Sequence, residues 1–447
     1  MKSVALHNLG CKVNAYEMDV MQQNLQENGY QIVPFDKKAD IYIVNTCTVT
    51  NMADRKSRQM LHRAKKLNPD AVVVAVGCYV QNGTEAVETD DSIDLAIGNN
   101  RKKDLVRILE EYLAQQKAED AVIDIAHTDE YEEMQLKETA EHTRAYIKIQ
   151  DGCNQFCTYC AIPLARGRVR SRRPERVIEE VQGLAQAGYH EIVLTGIHLS
   201  SYGLDFLGIK SADYRDACEK GYLLDLIEAL AQIPGIERIR LGSLEPRLIT
   251  KEFVTRLSAC EKICPHFHLS LQSGCDATLK RMNRHYDTAQ FAEGVRLLRE
   301  AFSKVAITTD VIVGFPGETD EEFAKTKEFL EQISFYEMHV FKYSKRQSTP
   351  AATMKEQVPD PVKTQRSDEL LMMDERKSAQ YRKDYLGCEV EILLEEEKEI
   401  DGIRYMVGHT KDYVLAAVPW DETLQANQFI RGRAESFLTQ TILLLKK

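Results

Sequence analysis

Residues 144–163 read RAYIKIQDGCNQFCTYCAIP. The opening RAYIKI alternates apolar and polar side chains, the period of a half-buried strand. Directly after it, Cys153, Cys157 and Cys160 form a C-x3-C-x2-C array. Three thiolates so close in sequence can hold three corners of a cubane iron–sulfur cluster. The fourth iron then stays open, and an open coordination site invites chemistry. The competing reading is a zinc site completed by a remote fourth ligand. The strand-end location speaks for catalysis, because β/α barrels carry their chemistry at the carboxyl ends of the strands.

The sequence on either side supports such a barrel. Strand candidates recur at 144–149, 191–195, 238–241, 267–271, 306–313 and 337–341, with helical patterns at 175–187, 224–232, 290–301 and 321–333. Six β/α units fit a partial barrel related to the eight-fold one; spacing alone does not separate that from an open sheet. Upstream, residues 1–118 alternate strands (3–9, 40–45, 71–76) with helices (15–28, 52–67, 101–116), the pattern of a parallel sheet covered on both faces. The acidic, weakly apolar stretch 119–143 reads as a solvated linker. Downstream of a proline-containing crossing at 347–363, a helix over 367–385 precedes five short strands (389–394, 404–407, 413–418, 429–435, 439–445), which suggest a small closed barrel of the OB kind. The expected fold class is therefore α/β multidomain, with boundaries at 1–118, 119–143, 144–370 and 371–447.

Composition agrees. The chain has 447 residues, 43% hydrophobic and 28% charged, which excludes a mostly disordered protein. No apolar run approaches the ~18 residues of a membrane helix, and the N-terminus lacks the apolar core of a signal peptide. We expect a cytoplasmic protein without a membrane partner. Its eleven cysteines are then metal ligands, reactive thiols or core residues rather than a disulfide framework. The net charge of −11 argues against general nucleic-acid coating and leaves room for a local basic surface.

Cys11, Cys47 and Cys78 are far apart in sequence, yet each falls one to three residues beyond a strand candidate. In parallel sheets ligands bind beyond the strands' carboxyl ends, so neighbouring strands would bring the three thiols together. Asn14 with Glu17 reads as an N-cap with its reciprocal partner, and Thr50 or Asn51 as the next cap. Three unrelated buried cysteines remain the alternative. Cys218, Cys260, Cys264, Cys275 and Cys388 show no comparable pattern.

Further candidates cluster around the barrel. Thr195 and Gly196 end its second strand, Ser243 and Glu245 follow the third, Ser270 and Gln272 end the fourth, and Asp310 lies on the fifth near the turn GFPGET. Ordinary turn and cap chemistry is the bland alternative for each. Arg166, Arg168, Arg170 and Arg172 would share one face of an extended segment and could track phosphates; a solvated loop, internal pairing with acids, or contact with a cofactor or base is the alternative. In the tail, Tyr405, Tyr413 and Trp420 either stack on bases or fill the small barrel, and Arg431 and Arg433 alternate onto one strand face.

Taken together, LGCKVNAYE around Cys11, VNTCTVT around Cys47, VGCYVQ around Cys78 and the C-x3-C-x2-C array with Tyr159 before its last cysteine resemble the radical S-adenosylmethionine (SAM) methylthiotransferase family. GHTKDYVLA resembles that family's C-terminal TRAM domain. Within the family, GCKVNAYE, CTYCAIPLARGRVRSR and HVFKYSKRQSTPAA look most like the enzymes acting on N6-threonylcarbamoyladenosine in tRNA. The resemblance implies a radical SAM core with a 4Fe–4S cluster at Cys153, Cys157 and Cys160 whose open iron chelates SAM. It also implies a second 4Fe–4S cluster at Cys11, Cys47 and Cys78 that holds the sulfur to be inserted. The reaction implied is conversion of that nucleoside at position 37, next to the anticodon, to its 2-methylthio derivative, by C2–H abstraction, sulfur insertion and S-methylation. Such a bond is neither acidic nor a leaving group, so radical cofactor chemistry suits it. SAM contacts would come from Tyr159, Thr195, Gly196, Ser243, Gln272 and Asp310, and RNA contacts from Arg166, Arg168, Arg170 and Arg172. An electron donor such as a flavodoxin or ferredoxin and a sulfur source would be partners. The same chemistry on N6-isopentenyladenosine, and a non-catalytic metal-bearing RNA-binding protein, are the alternatives.

Overall fold

A computed structural model describes residues 2–117, 121–137, 143–211 and 213–446. The first sheet contains β1 (Ser3–Asn8), β2 (Gln31–Val33), β3 (Ile41–Thr46), β4 (Val72–Gly77) and β5 (Leu95–Ile97). It is parallel throughout, in the order β2-β1-β3-β4-β5. Helices α1 (Lys12–Glu27) and α2 (Asn51–Leu67) and the one-turn α3 (Cys78–Asn82) follow β1, β3 and β4. β3 is buried along its whole length, as a central parallel strand covered on both faces must be. The edge strands β2 and β5 have three residues each, too short to show a sequence period.

The middle of the chain supplies β6 (Arg144–Asp151), β7 (Arg170–Ser171), β8 (Glu191–Gly196), β9 (Arg238–Leu241), β10 (His266–His268), β11 (Ala306–Val313) and β12 (Glu337–Lys342). β6, β8 and β9 pair in parallel, as do β10, β11 and β12. Parallel bridges at Ile239–Ile263 and Leu244–Leu269 join the two sets into one arc. Residues Ala145, Ile147, Ile149, Ile192, Leu194, Ile239, Leu241, Phe267, Ile307, Val311 and Met338 belong to the main hydrophobic core. The alternate positions, among them Arg144, Lys148, Glu191, Arg240, His268, Asp310 and His339, take the opposite face of the arc. The inner face is therefore polar, unlike the aliphatic layers that fill an eight-fold barrel.

The first domain leans on this arc at both ends. Tyr16 of α1 donates to the Met134 carbonyl (2.6 Å) and to Glu180 (3.1 Å). Arg346, after β12, donates to Asn51, Asp54 and Thr48. The stretch expected as a solvated linker is instead a strap between the two domains over its described part, 121–137. Ala121, Ile125, Met134 and Leu136 are buried, and Tyr131 donates to the Lys148 carbonyl at 2.7 Å. Its sparse apolar residues fall where the strap touches protein, which net acidity conceals. Residues 118–120 and 138–142 lie outside the described chain.

The long helix Asp360–Lys383 starts earlier than the sequence pattern suggests, with Pro361 in its first turn, where a missing N–H is tolerated. Then β13 (Glu389–Ile400), β14 (Ile403–His409), β15 (Leu415–Pro419), β16 (Phe429–Phe437) and β17 (Leu443–Lys446) close a five-stranded barrel. It sits beneath the amino ends of the arc. Arg238 donates to the His409 carbonyl (3.0 Å) and Arg240 to the Lys411 carbonyl (2.9 Å). Tyr413 is stacked between His266 and His409, with ring centroids 4.7 and 4.4 Å away. It neither fills the small barrel nor stands free to meet a base.

Candidate active site

Register brings the dispersed cysteines together. Asn8 pairs with Asn45 and Thr46 with Gly77, so β1, β3 and β4 end level, and Cys11, Cys47 and Cys78 follow at once. Gly10 adopts a φ of 108°, and a Cβ there would lie 3.1 Å from the Cys47 Cβ; glycine is what lets the two loops approach. Asn14 and Glu17 do not form the expected capping pair. Cys11 itself occupies the N-cap of α1 without a side-chain cap bond, and Asn14 ties the loops together through the Leu9 and Thr46 carbonyls (2.6 and 3.0 Å). Thr50 caps α2 as expected, accepting from the Ala53 N–H.

Beneath these thiols lies a buried ion network. Arg166 reaches Glu17 (2.6 Å), Asp151 (3.2 Å) and the Asn14 oxygen (2.6 Å), while its Nε lies 3.3 Å from the Cys78 sulfur. Lys148 joins Glu17 and Asp151, each at 2.7 Å, and Lys102 joins Glu17. With Arg170 3.8 Å from Asp151, four cations surround two carboxylates, and one of them, Arg166, faces a sulfur. Burial opposes the charged forms of Glu17 and Asp151, but the surrounding cations outweigh it and hold both carboxyls well below their usual range. Burial, helped by the neighbouring thiols, pushes Cys47 up to about 11 and raises Cys11 as well.

The second set follows β6. Gly152 turns the chain at φ 72°, where a Cβ would lie 1.8 Å from the Arg168 carbonyl. The Cys153 N–H donates to the Gly167 carbonyl (3.0 Å) and the Cys160 N–H to that of Cys157 (3.0 Å). Burial and Cys157 push Cys160 up to about 12 and raise Cys153 further. Arg284 donates to the Cys157 sulfur at 3.1 Å. Each set thus offers soft sulfur donors with a guanidinium on one sulfur, an arrangement that suits an anionic thiolate-bound cluster.

The strand-end candidates gather around the second set. Gly196 approaches Gln150 so closely that a Cβ would lie 2.9 Å from its Oε1, and that oxygen accepts from the His198 N–H (2.7 Å). Thr195 is buried, Ser243 is exposed, and Gln272 sits at φ 71° with its N–H on the Asp310 carbonyl (2.9 Å). Tyr159 packs edge-on against Phe315, 6.3 Å between centroids. Glu245 is taken up by His198 (2.8 Å) and Arg247 (2.9 Å). Asp310 lies on its strand as expected, mid-strand on the inner face and 3.3 Å from His268.

A model of the Radical SAM superfamily matches residues 147–330, and one described as Uncharacterized protein family UPF0004 matches residues 3–98. The chain is 41% identical to the threonylcarbamoyladenosine tRNA methylthiotransferase MtaB of Bacillus subtilis, over 93% of this chain and 90% of that protein. The chain belongs to the radical SAM tRNA methylthiotransferase family. It is also 35% identical to a tRNA-2-methylthio-N(6)-dimethylallyladenosine synthase of Acetivibrio thermocellus, over 88% of this chain and 81% of that one. In fold it resembles the radical SAM methyltransferase TsrM from Kitasatospora setae, solved with cobalamin and a 4Fe–4S cluster bound (TM-score 0.56, 17% identity, 78% of this chain and 77% of that one). It is a radical SAM methylthiotransferase, and its cofactors are SAM and 4Fe–4S clusters.

In this methylthiotransferase the expected phosphate-tracking arginine row does not form. Arg166 ends the helix Ile162–Arg166, and β7 is two residues long, so no extended face spans 166–172. Arg166, Arg170 and Arg172 are fully buried. Arg170 donates to the Arg166 and Arg168 carbonyls, Arg172 binds Glu133 (2.6 Å) and Glu180, and half-buried Arg168 covers the Phe156 ring at 4.4 Å. Their partners come from α1, the strap and the neighbouring helix, which spacing cannot reveal. Sequence reading also missed Arg284, Lys148 and Arg346. No local pattern marks them: Lys148 falls at an ordinary polar position of an alternating strand.

One further group stands out near the dispersed cysteines. Lys12, next to Cys11, has Arg240 and Arg144 among its charged neighbours. Burial and these two cations lower its pKa to about 8.

Proposed function

We propose that this methylthiotransferase converts N6-threonylcarbamoyladenosine at position 37 of tRNA to its 2-methylthio derivative. The observation that carries the reading is the presence of two sets of three cysteines, one in each domain, each at the carboxyl ends of parallel strands and each with a guanidinium on one sulfur, in a chain 41% identical to a protein of that name. Cys153, Cys157 and Cys160 would hold the cluster that binds SAM, and Cys11, Cys47 and Cys78 the other. When bound, these groups supply hydrogen abstraction at C2 of the adenine and the sulfur that replaces the hydrogen. The chain's own part is positioning. Arg166 and Arg284 each hold a sulfur by a charge-assisted bond, Gly152 and Gly196 let backbone approach closely, and the strap and Arg346 fix one domain against the other. Tyr159, Thr195, Gly196, Ser243, Gln272 and Asp310 are the SAM contacts we propose.

The tRNA docks, in this reading, on α2 rather than on the arginine stretch. Arg55, Lys56, Arg63 and Lys66 are exposed on that helix, and its one acid, Asp54, is bound by Arg346. A cavity of about 740 Å3 lined by Thr48, Arg58, Tyr79 and Arg346 opens beside Cys47. In a chain of net charge −11 such a basic face is a local exception of the kind that tracks phosphates. We read the six-stranded arc as a partial (β/α)6 barrel and the C-terminal barrel as OB-like and TRAM-related. Among the described residues no helix is long and apolar enough to cross a membrane, which suits an enzyme at work on tRNA in the cytoplasm. A flavodoxin or ferredoxin as electron donor and a separate sulfur source complete the proposal.

Nucleoside mass spectrometry of tRNA from a host lacking the gene tests it. Loss of the 2-methylthio threonylcarbamoyl nucleoside, with its unthiolated precursor accumulating, is expected. If that nucleoside persisted while the 2-methylthio isopentenyl form vanished, the substrate would be the other one.

A further inference from the structure

We infer that the surface over the Cys153–Cys160 loop docks the electron donor, a small acidic carrier protein, through Phe156, Arg168 and Lys251. The inference rests on the flavodoxin or ferredoxin reading above. Phe156 lies inside the loop, directly before Cys157, and is 41% exposed. Its φ of 48° is positive, a backbone state that bulky side chains rarely adopt and that persists mostly where function holds it. Asn283 keeps it there by donating to the Phe156 carbonyl at 3.1 Å. Burying the ring in a core would justify such strain, but the ring stays at the surface and carries the Arg168 guanidinium at 4.4 Å.

The surroundings are cationic. A cavity of about 800 Å3, lined in part by Arg247, Lys251 and His285, abuts the loop, since Arg247 donates to the Gln155 side chain at 3.1 Å. Two carboxylates in its wall are already taken, Asp213 by Arg215 (2.9 Å) and Glu293 by Arg296 (2.7 Å). Arg168 and Lys251 have no ion pair among the described residues. In a chain of net charge −11, an exposed aromatic beside uncompensated cations fits an acidic partner, which such a patch steers in. Aromatic rings and arginines are also what protein interfaces concentrate. Position favours a donor over RNA. An electron passes through protein, so its carrier need only dock close to a cluster ligand. Phe156 is bonded to Cys157, and His285 is bonded to Arg284, which donates to the Cys157 sulfur at 3.1 Å. Both lead from the surface to the same sulfur within one or two residues. In the encounter one electron leaves the reduced carrier for the cluster at Cys153, Cys157 and Cys160, and no bond forms or breaks.

The test uses reconstituted holoenzyme with flavodoxin as the probe. Binding is read from flavin fluorescence, and 5′-deoxyadenosine formation is driven either by reduced flavodoxin or by dithionite. The double variant Arg168→Glu, Lys251→Glu should weaken flavodoxin binding and raise its KM about tenfold at low salt. It should leave the dithionite-driven rate and the tRNA affinity unchanged. Phe156→Asn, which tolerates a positive φ, should raise the flavodoxin KM severalfold with iron content unchanged. Wild-type binding of flavodoxin should weaken as salt rises. Unchanged flavodoxin binding in the double variant would overturn the inference. So would a loss confined to tRNA affinity, which would give the surface to RNA. Should the double variant fail to fold, Lys251→Gln and the wild-type salt dependence decide, and binding that ignores salt overturns the inference. A wild type that works with dithionite but binds neither flavodoxin nor ferredoxin would overturn the underlying donor reading instead.

Discussion

The two thiol sets do related work by opposite means. Cys153, Cys157 and Cys160 lie within eight residues on one loop, and their placement needs one strand end and one glycine turn. Cys11, Cys47 and Cys78 are spread over 68 residues and meet only because three parallel strands end level. The local set has a single guanidinium, Arg284, on a sulfur. The dispersed set stands on a buried network that spans both domains, with Glu17 and Lys102 from one and Lys148, Asp151 and Arg166 from the other. A set assembled from distant chain segments depends on tertiary structure for its geometry, and here the same ion network supports the interface between domains.

The largest effects should separate the two sets. Reconstituted wild type should hold about eight irons, as two cubanes would. Cys157→Ala should keep about half of them and make no 5′-deoxyadenosine. Cys47→Ala should also keep about half, retain SAM cleavage and insert no sulfur. Normal methylthio product from Cys47→Ala would erase the distinction drawn here.

Next comes the support beneath each set. Arg166→Met leaves Glu17 and Asp151 short of a buried partner, a loss of about 3–5 kcal/mol for a broken internal pair. It should lower the melting temperature and deplete iron at the dispersed set. Arg284→Met, which also gives up a bond to Tyr286, should cost less stability than Arg166→Met and shift the reduction potential of the local cluster, because it removes a hydrogen bond to a ligand sulfur. Equal melting temperatures for the two variants would break the comparison.

Acid should remove the support that Glu17 gives the dispersed set. Glu17 is held below its usual range in the folded protein, so its contribution is present in full above about pH 4.5 and is lost as pH falls from there. Melting temperature measured from pH 7 to pH 3 should therefore drop, and the drop should be shallower in Glu17→Gln, which starts less stable at neutral pH. A parallel pair of curves would show that Glu17 is not the titrating support.

The smallest effect concerns RNA. Arg55→Ala or Lys56→Ala on α2 should weaken tRNA binding severalfold and reduce the salt slope by about one each. Arg170→Ala should act through stability, with an unchanged salt slope.

Much of this was open to sequence reading. The C-x3-C-x2-C array, the strand-end positions of Cys11, Cys47 and Cys78, and six strands in chain order are local properties, written in spacing and in the period of apolar residues. The arginine stretch misled because regular spacing says nothing of backbone shape: a helix end, a glycine and a two-residue strand turn Arg166, Arg170 and Arg172 inward. The strap misled because burial follows a few well-placed residues, Ile125, Met134 and Leu136, and not average polarity. By itself the sequence determined where the two sets of cysteines fall relative to strand ends and the order of the elements, since each depends on neighbours along the chain. Only the tertiary structure decided that Arg166 donates to a sulfur and that Tyr413 stacks between His266 and His409 at the base of the arc. Pairing of charges is settled by distances across elements far apart in the chain, and those distances exist only once the domains have packed.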